Sequence, residues 1–358
     1  VTLRNQSQPD TRLDRHRRIL VIRPDRIGDV TLATPVIRAL RQTFPDAYLA
    51  ALVRPATEPV LRRSPHLDDI LIDDWELSHA GRKGFFDRLG MLRRHRFDTA
   101  LMMLPTERHA WMTFLAGIRT RIGVGTKLYQ IITLASSVSR RKYIPLRHEA
   151  DYCMDLARAI GVKSDDLRTE VFLSEEEKET AVNRLREAGY RPGTPLISVH
   201  PESGHSAPNW GPAIYLDLVM KLLAGFPNAQ VLVNVTPGSN SMRALFEPLR
   251  EQGLIFPDGS KDLRMLMGLL AEAQVAVSAS TGPMHLAAAL GTPTVSLFCP
   301  LPACSPKLWG PQGNRSLIIL PPDDYCRTRC PGDPHICTFE DGIDPSAVLN
   351  AVGEIVSR

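Results

Sequence analysis

Short apolar runs recur along this chain, each followed by a longer segment whose apolar residues fall at helical spacing, and that alternation narrows the fold more than any other feature. Runs of four to six apolar residues bounded by turn residues are strands buried on both faces, and the segments between them are crossover helices. Strands are expected near 19–23, 48–53, 70–72 and 98–103, with helices near 35–44, 56–63, 84–95, 107–117 and 148–160. A second series follows, with strands near 196–200, 230–235, 275–279, 294–298 and 317–320 and helices near 213–225, 240–252, 261–272 and 283–290. Two successive βαβ series in 358 residues predict an α/β protein of two parallel-sheet domains, more than one core would hold.

The seams are marked by composition. A basic leader occupies 1–17, and the first α/β domain is expected over 18–170. A charged helix with a Gly/Pro exit, RTEVFLSEEEKETAVNRLREAGYRPGTP, supplies a linker at 171–195, ahead of a second domain at 196–342. The segment 343–358 reads as a final helix that could return to the first domain. Charge divides unevenly: residues 1–150 carry 26 Lys and Arg against 15 Asp and Glu, while the remainder carries 17 against 24. A basic half implies an anionic partner for it, whether nucleic acid, a membrane surface or an acidic substrate. No apolar run approaches the roughly 20 residues that span a bilayer, and the start lacks an apolar signal core, so a cytoplasmic location is expected. The six cysteines are then read as thiols or metal ligands, not disulfides.

In paired α/β domains the residues just after strands face the ligand cleft. Three such segments carry chemistry. In Arg23-Pro24-Asp25-Arg26-Ile27-Gly28-Asp29-Val30-Thr31 a single glycine precedes one carboxylate. Neither the dinucleotide-binding G-x-G-x-x-G nor the phosphate-binding G-x-x-x-x-G-K-[ST] is present there. Asp29 can therefore serve as a general base, or it can simply favour a helix N-terminus by its charge. The segment Ser280-Thr281-Gly282-Pro283-Met284-His285 opens a helix after a strand and offers unpaired N–H groups to an anion. The third, His200-Pro201-Glu202-Ser203-Gly204-His205-Ser206, places donors and a glycine after another strand, ahead of Trp210.

Together RPDRIGDVTLATPVIRALR, HPESGHSAPNW and STGPMHLAAALGTPTVSLF resemble the signature blocks of the ADP-heptose:lipopolysaccharide heptosyltransferase family, glycosyltransferase family 9. The likeness runs from about residue 18 to 345 and includes Arg121-Ile122-Gly123 and the late cysteines. It implies a GT-B fold, two Rossmann-like domains whose parallel sheets face a central cleft, with acceptor on the first domain and nucleotide-sugar on the second. It implies inverting transfer of a heptose from ADP-heptose to the lipopolysaccharide inner core, without metal or other cofactor, at the cytoplasmic face of the inner membrane. Asp29 maps onto the catalytic base. Ser203, Gly204, His205, Ser206, Asn240, Ser280, Thr281, Gly282 and His285 are the donor-binding candidates. Arg26, Arg54, Arg108, His109, Arg121 and Lys127, on or near loops of the basic half, are the candidates for an acidic glycan acceptor beside an anionic leaflet.

The chain departs from the family pattern at three points. Pro208 stands where members carry a lysine toward the donor diphosphate, Ser280 where they often carry an aspartate, and Ser239 or Asn240 where some place a ribose-binding glutamate. A different nucleotide-sugar, a different acceptor glycan, or a non-catalytic nucleotide-sugar binder therefore stands beside the leading reading. Nucleic-acid binding lacks any accompanying motif. Cys326-x3-Cys330-x4-His335-x-Cys337 holds four soft ligands in twelve residues, but its spacing is not that of paired zinc cysteines, and structural thiols are the expectation.

Overall fold

The computed structural model describes residues 16–140, 143–204, 207–236, 238–257, 262–333 and 336–357. Within them eleven strands form two sheets. The first comprises β1 (Arg18–Ile22), β2 (Tyr48–Val53), β3 (Asp69–Ile72), β4 (Thr99–Met102), β5 (Thr120–Val124) and β6 (Ser136–Val138), ordered β3-β2-β1-β4-β5-β6. The second comprises β7 (Leu196–His200), β8 (Gln230–Val233), β9 (Val275–Ala279), β10 (Thr294–Leu297) and β11 (Ser316–Ile319), ordered β11-β10-β9-β7-β8. Every pairing is parallel; Leu20 of β1 lies opposite both Ala50 of β2 and Ala100 of β4. Parallel strands need covered faces, and β1, β2, β4, β7 and β9 are almost wholly buried, as continuous apolar runs require.

β5, β6 and the helix Leu128–Ile132 were not among the expected elements. β6 is the edge strand, half exposed and composed of Ser-Ser-Val, so it carries none of the apolar signal of a buried strand. The expected helix at 240–252 is an α-helix only over Asn240–Phe246. It tightens to a 3-10 turn over Glu247–Gln252, where Pro248 removes a backbone donor.

The helix Glu175–Glu187 starts with a reciprocal capping box between Ser174 and Glu177 and packs on the helix Leu263–Glu272, where Arg264 binds the Glu177 carboxylate at 2.7 Å. Before it, the chain crosses between the sheets pinned by Thr34, Ala289 and Gln312: Glu170 N–H donates to the Thr34 hydroxyl, Val171 N–H to the Ala289 carbonyl and Thr169 N–H to the Gln312 carbonyl. The terminal helix Pro345–Val356 does not return to the first domain. Its Val348, Val352 and Ile355 join the core of the second sheet beside the helix Pro212–Gly225. Another core is shared between the domains: Ile19, Val36 and Leu40 belong to the same apolar cluster as Met267, Leu286 and Ala287.

Candidate active site

In both sheets the strand order reverses direction at one place, next to β1 in the first and next to β7 in the second. The crevice beyond the carboxyl ends of such strands is where parallel α/β sheets bind ligands. Here the loops after β1, β7 and β9 meet around one cavity of about 780 Å³, within the range of small-molecule sites. Asp29, Ser203, Gly204, Ser280, Thr281, Gly282 and His285 all line it, as does Arg26. The three sequence segments, which begin about 180 and 80 residues apart, thus form one site.

Asp29 lies in the first turn of the short helix Ile27–Thr31. Its carboxylate accepts a 2.7 Å hydrogen bond from Arg23, whose guanidinium is 3% exposed. The same guanidinium lies 3.0 Å from Asp25 and 3.2 Å from Glu149, and Arg140 reaches Glu149 at 3.0 Å. Two arginines therefore hold three carboxylates. The excess negative charge is relieved at Asp25, where burial pushes the carboxyl up to about 7 against the pull of Arg23. Asp29 is held in place by a buried cation while its other side faces the cavity.

Opposite stands the helix Gly282–Ala289, whose N-cap residue Thr281 is extended and makes no capping bond. The Thr281 hydroxyl is buried and without a hydrogen-bond partner, as are few side-chain atoms among the described residues. A hydroxyl and a helix N-terminus on the cavity wall form a set of hydrogen-bond donors for an anion's oxygens. The two domains meet here at van der Waals range. A Cβ added to Gly28 would lie 2.7 Å from Cδ2 of His285, and one on Gly282 would lie 3.2 Å from Cβ of Ile27. His285 is itself buried, and burial pulls its imidazole down to about 3, so it is neutral.

After β7, His200 is buried, with Nδ1 2.9 Å from the Asn234 carbonyl oxygen, and burial lowers its pKa as well. Gly204 has φ +54°, a conformation that glycine adopts without strain. Trp210 is buried and donates to the Ile343 carbonyl, which anchors the far end of the loop. Glu202, also on the cavity wall, accepts from Thr236 N–H and from the Ser239 hydroxyl, fastening the loop after β8 to that after β7. Asn240 opens an exposed helix and does not line the cavity. His205 and Ser206 lie outside the described residues.

Of the basic acceptor candidates only Arg26 reaches the cavity. Arg54 pairs with Glu76 and stacks on Trp75, next to the cavity residues Pro55 and Ala56. Arg108 grips Asp73 with two hydrogen bonds of 2.8 and 2.9 Å, and His109 approaches the same carboxylate at 3.2 Å. Asp73 is fully buried; although burial works the other way, hydrogen bonds from His109 and Arg108 hold its carboxyl below the ordinary value. Arg121 donates to the carbonyls of Ile118, Thr133 and Leu134, and the backbone N–H of the exposed Lys127 donates to Gln130 at the start of the helix Leu128–Ile132. The side chains of Arg108, His109 and Arg121 are engaged in holding the first domain together.

Cys326 and Cys337 pack in or against the core of the second sheet, and His335 lies outside the described residues. Among the described residues no cluster of three or more His, Cys, Asp or Glu side chains is arranged to hold a metal ion. Residues that sequence reasoning passed over include Arg184, Asn234 and the apolar wall of Met265, Leu266 and Leu269. Arg184 carried no signal, because it sits on the exposed-looking linker helix. Arg23 and Asp25 stood in the quoted segment, but nothing local revealed that Glu149 would join them.

The model of glycosyltransferase family 9 (heptosyltransferase) matches residues 89–330. A Haemophilus influenzae chain named only as a glycosyltransferase is 28% identical over 315 residues, covering 85% of this chain and 89% of that one. Lipopolysaccharide heptosyltransferase 2 of Escherichia coli is 24% identical over 323 residues, covering 87% and 90%. The solved E. coli ADP-heptose lipopolysaccharide heptosyltransferase II superposes with a TM-score of 0.74 at 21% identity, covering 94% of this chain and 98% of that one. The GT-B architecture of two parallel α/β domains is the one observed.

Proposed function

The chain belongs to glycosyltransferase family 9, and from that premise we propose that it transfers a heptose from ADP-heptose to an inner-core sugar of lipopolysaccharide, with inversion and without a metal ion. The observation that carries this reading is the apposition of Asp29, from the first domain, and the Thr281–Gly282 helix start, from the second, across one cavity. A nucleotide-sugar placed with its diphosphate at that helix start would present its anomeric carbon toward Asp29. The acceptor hydroxyl would attack from the face opposite the diphosphate. As the new C–O bond forms, its proton passes to the Asp29 carboxylate, and the old bond breaks with its electron pair leaving on ADP. Arg23 fixes the carboxylate for that transfer. The Thr281 hydroxyl and the helix N–H groups would stabilise charge growing on the leaving diphosphate, the task a cation performs in other sugar transferases.

The departures at Pro208 and Ser280 bear on the donor, and titration against ADP-, GDP- and UDP-sugars with and without chelator tests it. Selective, chelator-insensitive binding of ADP-heptose is expected; preference for another nucleotide would replace the donor while leaving the fold and Asp29 unchanged. Asp29→Asn is expected to keep donor affinity and to lose about 10²-fold or more in turnover. Turnover close to wild type would remove Asp29 from the mechanism.

A further inference from the structure

His148 follows β6 in the first domain, yet one of its ring nitrogens is bonded in the second. It is the N-cap of the helix Glu149–Arg158, where Nδ1 accepts from Ala150 N–H at 3.2 Å. A ring nitrogen that accepts carries no proton, so in the neutral imidazole the proton is on Nε2. Nε2 lies 2.9 Å from the carbonyl oxygen of Gly310, 162 residues on and between β10 and β11, and donates to it. The side chain is buried, and burial lowers its pKa, which keeps this tautomer neutral. Both nitrogens are thus committed, one to the backbone of each domain.

Each end of this bond leads to the site. Gly310 closes the short helix Pro306–Trp309, and an added Cβ there would lie 2.5 Å from the Pro306 carbonyl oxygen, so its backbone is pressed against its own helix. Trp309 lines the cavity, and its indole donates to the carbonyl of Ala303, which lines it too. The segment is pinned again two residues later, where Thr169 donates to the Gln312 carbonyl from its N–H at 3.3 Å and its hydroxyl at 2.9 Å. On the other side, Glu149 is next in the chain to His148 and 1% exposed. Its carboxylate accepts from Arg23 at 3.2 Å, and the same guanidinium holds Asp29 at 2.7 Å. One hydrogen bond therefore joins the cavity wall at 303–310 to the mount of Asp29, and His148 itself does not line the cavity.

We propose that His148 is a positioning residue for transfer: its bond to Gly310 holds the second domain's cavity wall in register with Asp29. The consequence for turnover rests on the transferase reading, in which the base sits on one domain and the donor diphosphate on the other, so that their separation is set by contacts between domains. Such a bond acts on the rate through geometry, because a base misplaced by about 1 Å loses much of its effect. It leaves the affinity for the nucleotide largely alone, since the donors of the Thr281–Gly282 helix start belong to the second domain by themselves.

Two variants of the full chain separate the two nitrogens. His148→Asn places a side-chain oxygen near the position of Nδ1, so it keeps the helix cap but is too short to reach Gly310. His148→Gln places an amide N–H near the position of Nε2, so it keeps the bond to Gly310 and loses the cap. Amide hydrogen exchange over residues 303–313, calorimetric binding of ADP, thermal unfolding and steady-state transfer from ADP-heptose are read for both. His148→Asn is expected to exchange at least about tenfold faster over 303–313, to bind ADP within about threefold of wild type, and to lose about 10- to 100-fold in kcat. His148→Gln is expected to recover exchange and kcat to within about threefold of wild type while melting lower for want of its cap. Wild-type turnover by His148→Asn would overturn the proposal, as would equal losses of turnover in both variants that track their melting temperatures, or unchanged exchange in His148→Asn. A wild type that transfers nothing from ADP-heptose condemns the functional reading instead, and the exchange result then decides the bond between domains by itself.

Discussion

Replacing Gly28 by alanine isolates the contact between domains from the chemistry beside it. Gly28 sits inside the helix Ile27–Thr31, so alanine suits its backbone and would gain up to about 1 kcal/mol of helix propensity. The new Cβ, however, would lie 2.7 Å from Cδ2, 3.4 Å from Nε2 and 3.6 Å from Cγ of His285. Carbon atoms settle at about 3.5–4.0 Å, so the ring must retreat by roughly 1 Å. His285 is 5% exposed in a helix packed against both domains, so the ring can retreat only by moving that helix or by turning into the cavity that it lines. Overpacking of this kind costs about 1–3 kcal/mol, which leaves a net loss of about 0–3 kcal/mol. Because His285 follows Thr281 and Gly282 on the same turn of helix, the retreat also shifts the anion site relative to Asp29. A displacement near 1 Å between reacting groups costs about 10² in rate. Thermal unfolding and steady-state transfer should therefore disagree, with Gly28→Ala melting within a few degrees of wild type but turning over about 10²-fold more slowly. Gly282→Ala is the milder comparison, since its Cβ would press on the Ile27 side chain at 3.2 and 3.3 Å and meet the Gly28 nitrogen at an ordinary 3.8 Å. A Gly28→Ala protein at least as stable as wild type, with turnover within a factor of two or three, would refute the argument.

Two further outcomes follow from the buried ionisable groups. The imidazole of His285 is held near 3 in the fold against about 6.5 unfolded, so the unfolded chain binds the extra proton as pH falls below 6.5. Its contribution to stability is complete above that value and declines by about 2 kcal/mol between pH 6.5 and 5, with His148 and His200, also lowered by burial, adding in the same direction. Urea unfolding across that range should show this loss, and His285→Gln should flatten it; an unchanged slope would place the acid sensitivity elsewhere. Asp73→Asn breaks a buried ion pair while leaving the cavity untouched, so it should lower stability by about 3–5 kcal/mol with no change in donor affinity. An effect on acceptor binding larger than that on unfolding would return Arg108 and His109 to their expected place as acceptor ligands.

The central strands were legible because burial on both faces leaves no room for polar residues: RILVI, YLAALV and LISVH could hardly be anything else. Legibility failed toward the edge of the first sheet. β5 reads TRIGV and β6 reads SSV, and as exposure rises outward from β4 the apolar signal fades with it. The same physics hid the helix Leu128–Ile132, whose apolar residues point the wrong way for a pattern that assumes they face a core. The terminal helix was recognised from its spacing, but spacing names a buried face without naming what covers it. That the cover is the second sheet is a fact of chain routing.

The acceptor arginines show a related limit. A basic residue after a strand looks available when only its neighbours in sequence are considered, yet Arg108 is bound by a carboxylate 35 residues earlier and Arg121 by carbonyls up to 13 residues later. Charge excess over a domain says how many cations exist, not how many are already paired. The converse holds at Arg23 and Asp25, to which the sequence alone assigns no role. They become the fixed mount of Asp29 only because Glu149, 126 residues on, is buried against the same guanidinium. The glycines carry the point further. Gly28 and Gly282 each suggest a turn, and neither has the left-handed backbone that would demand glycine for that reason. What crowds a side chain at each is the other domain: His285 above Gly28, at 2.7 Å from an added Cβ, and Ile27 above Gly282, at 3.2 Å. Two glycines 254 residues apart thus let the two domains close to contact beside the cavity that Asp29 and Thr281 line, Gly28 where no side chain fits and Gly282 where one would press on Ile27.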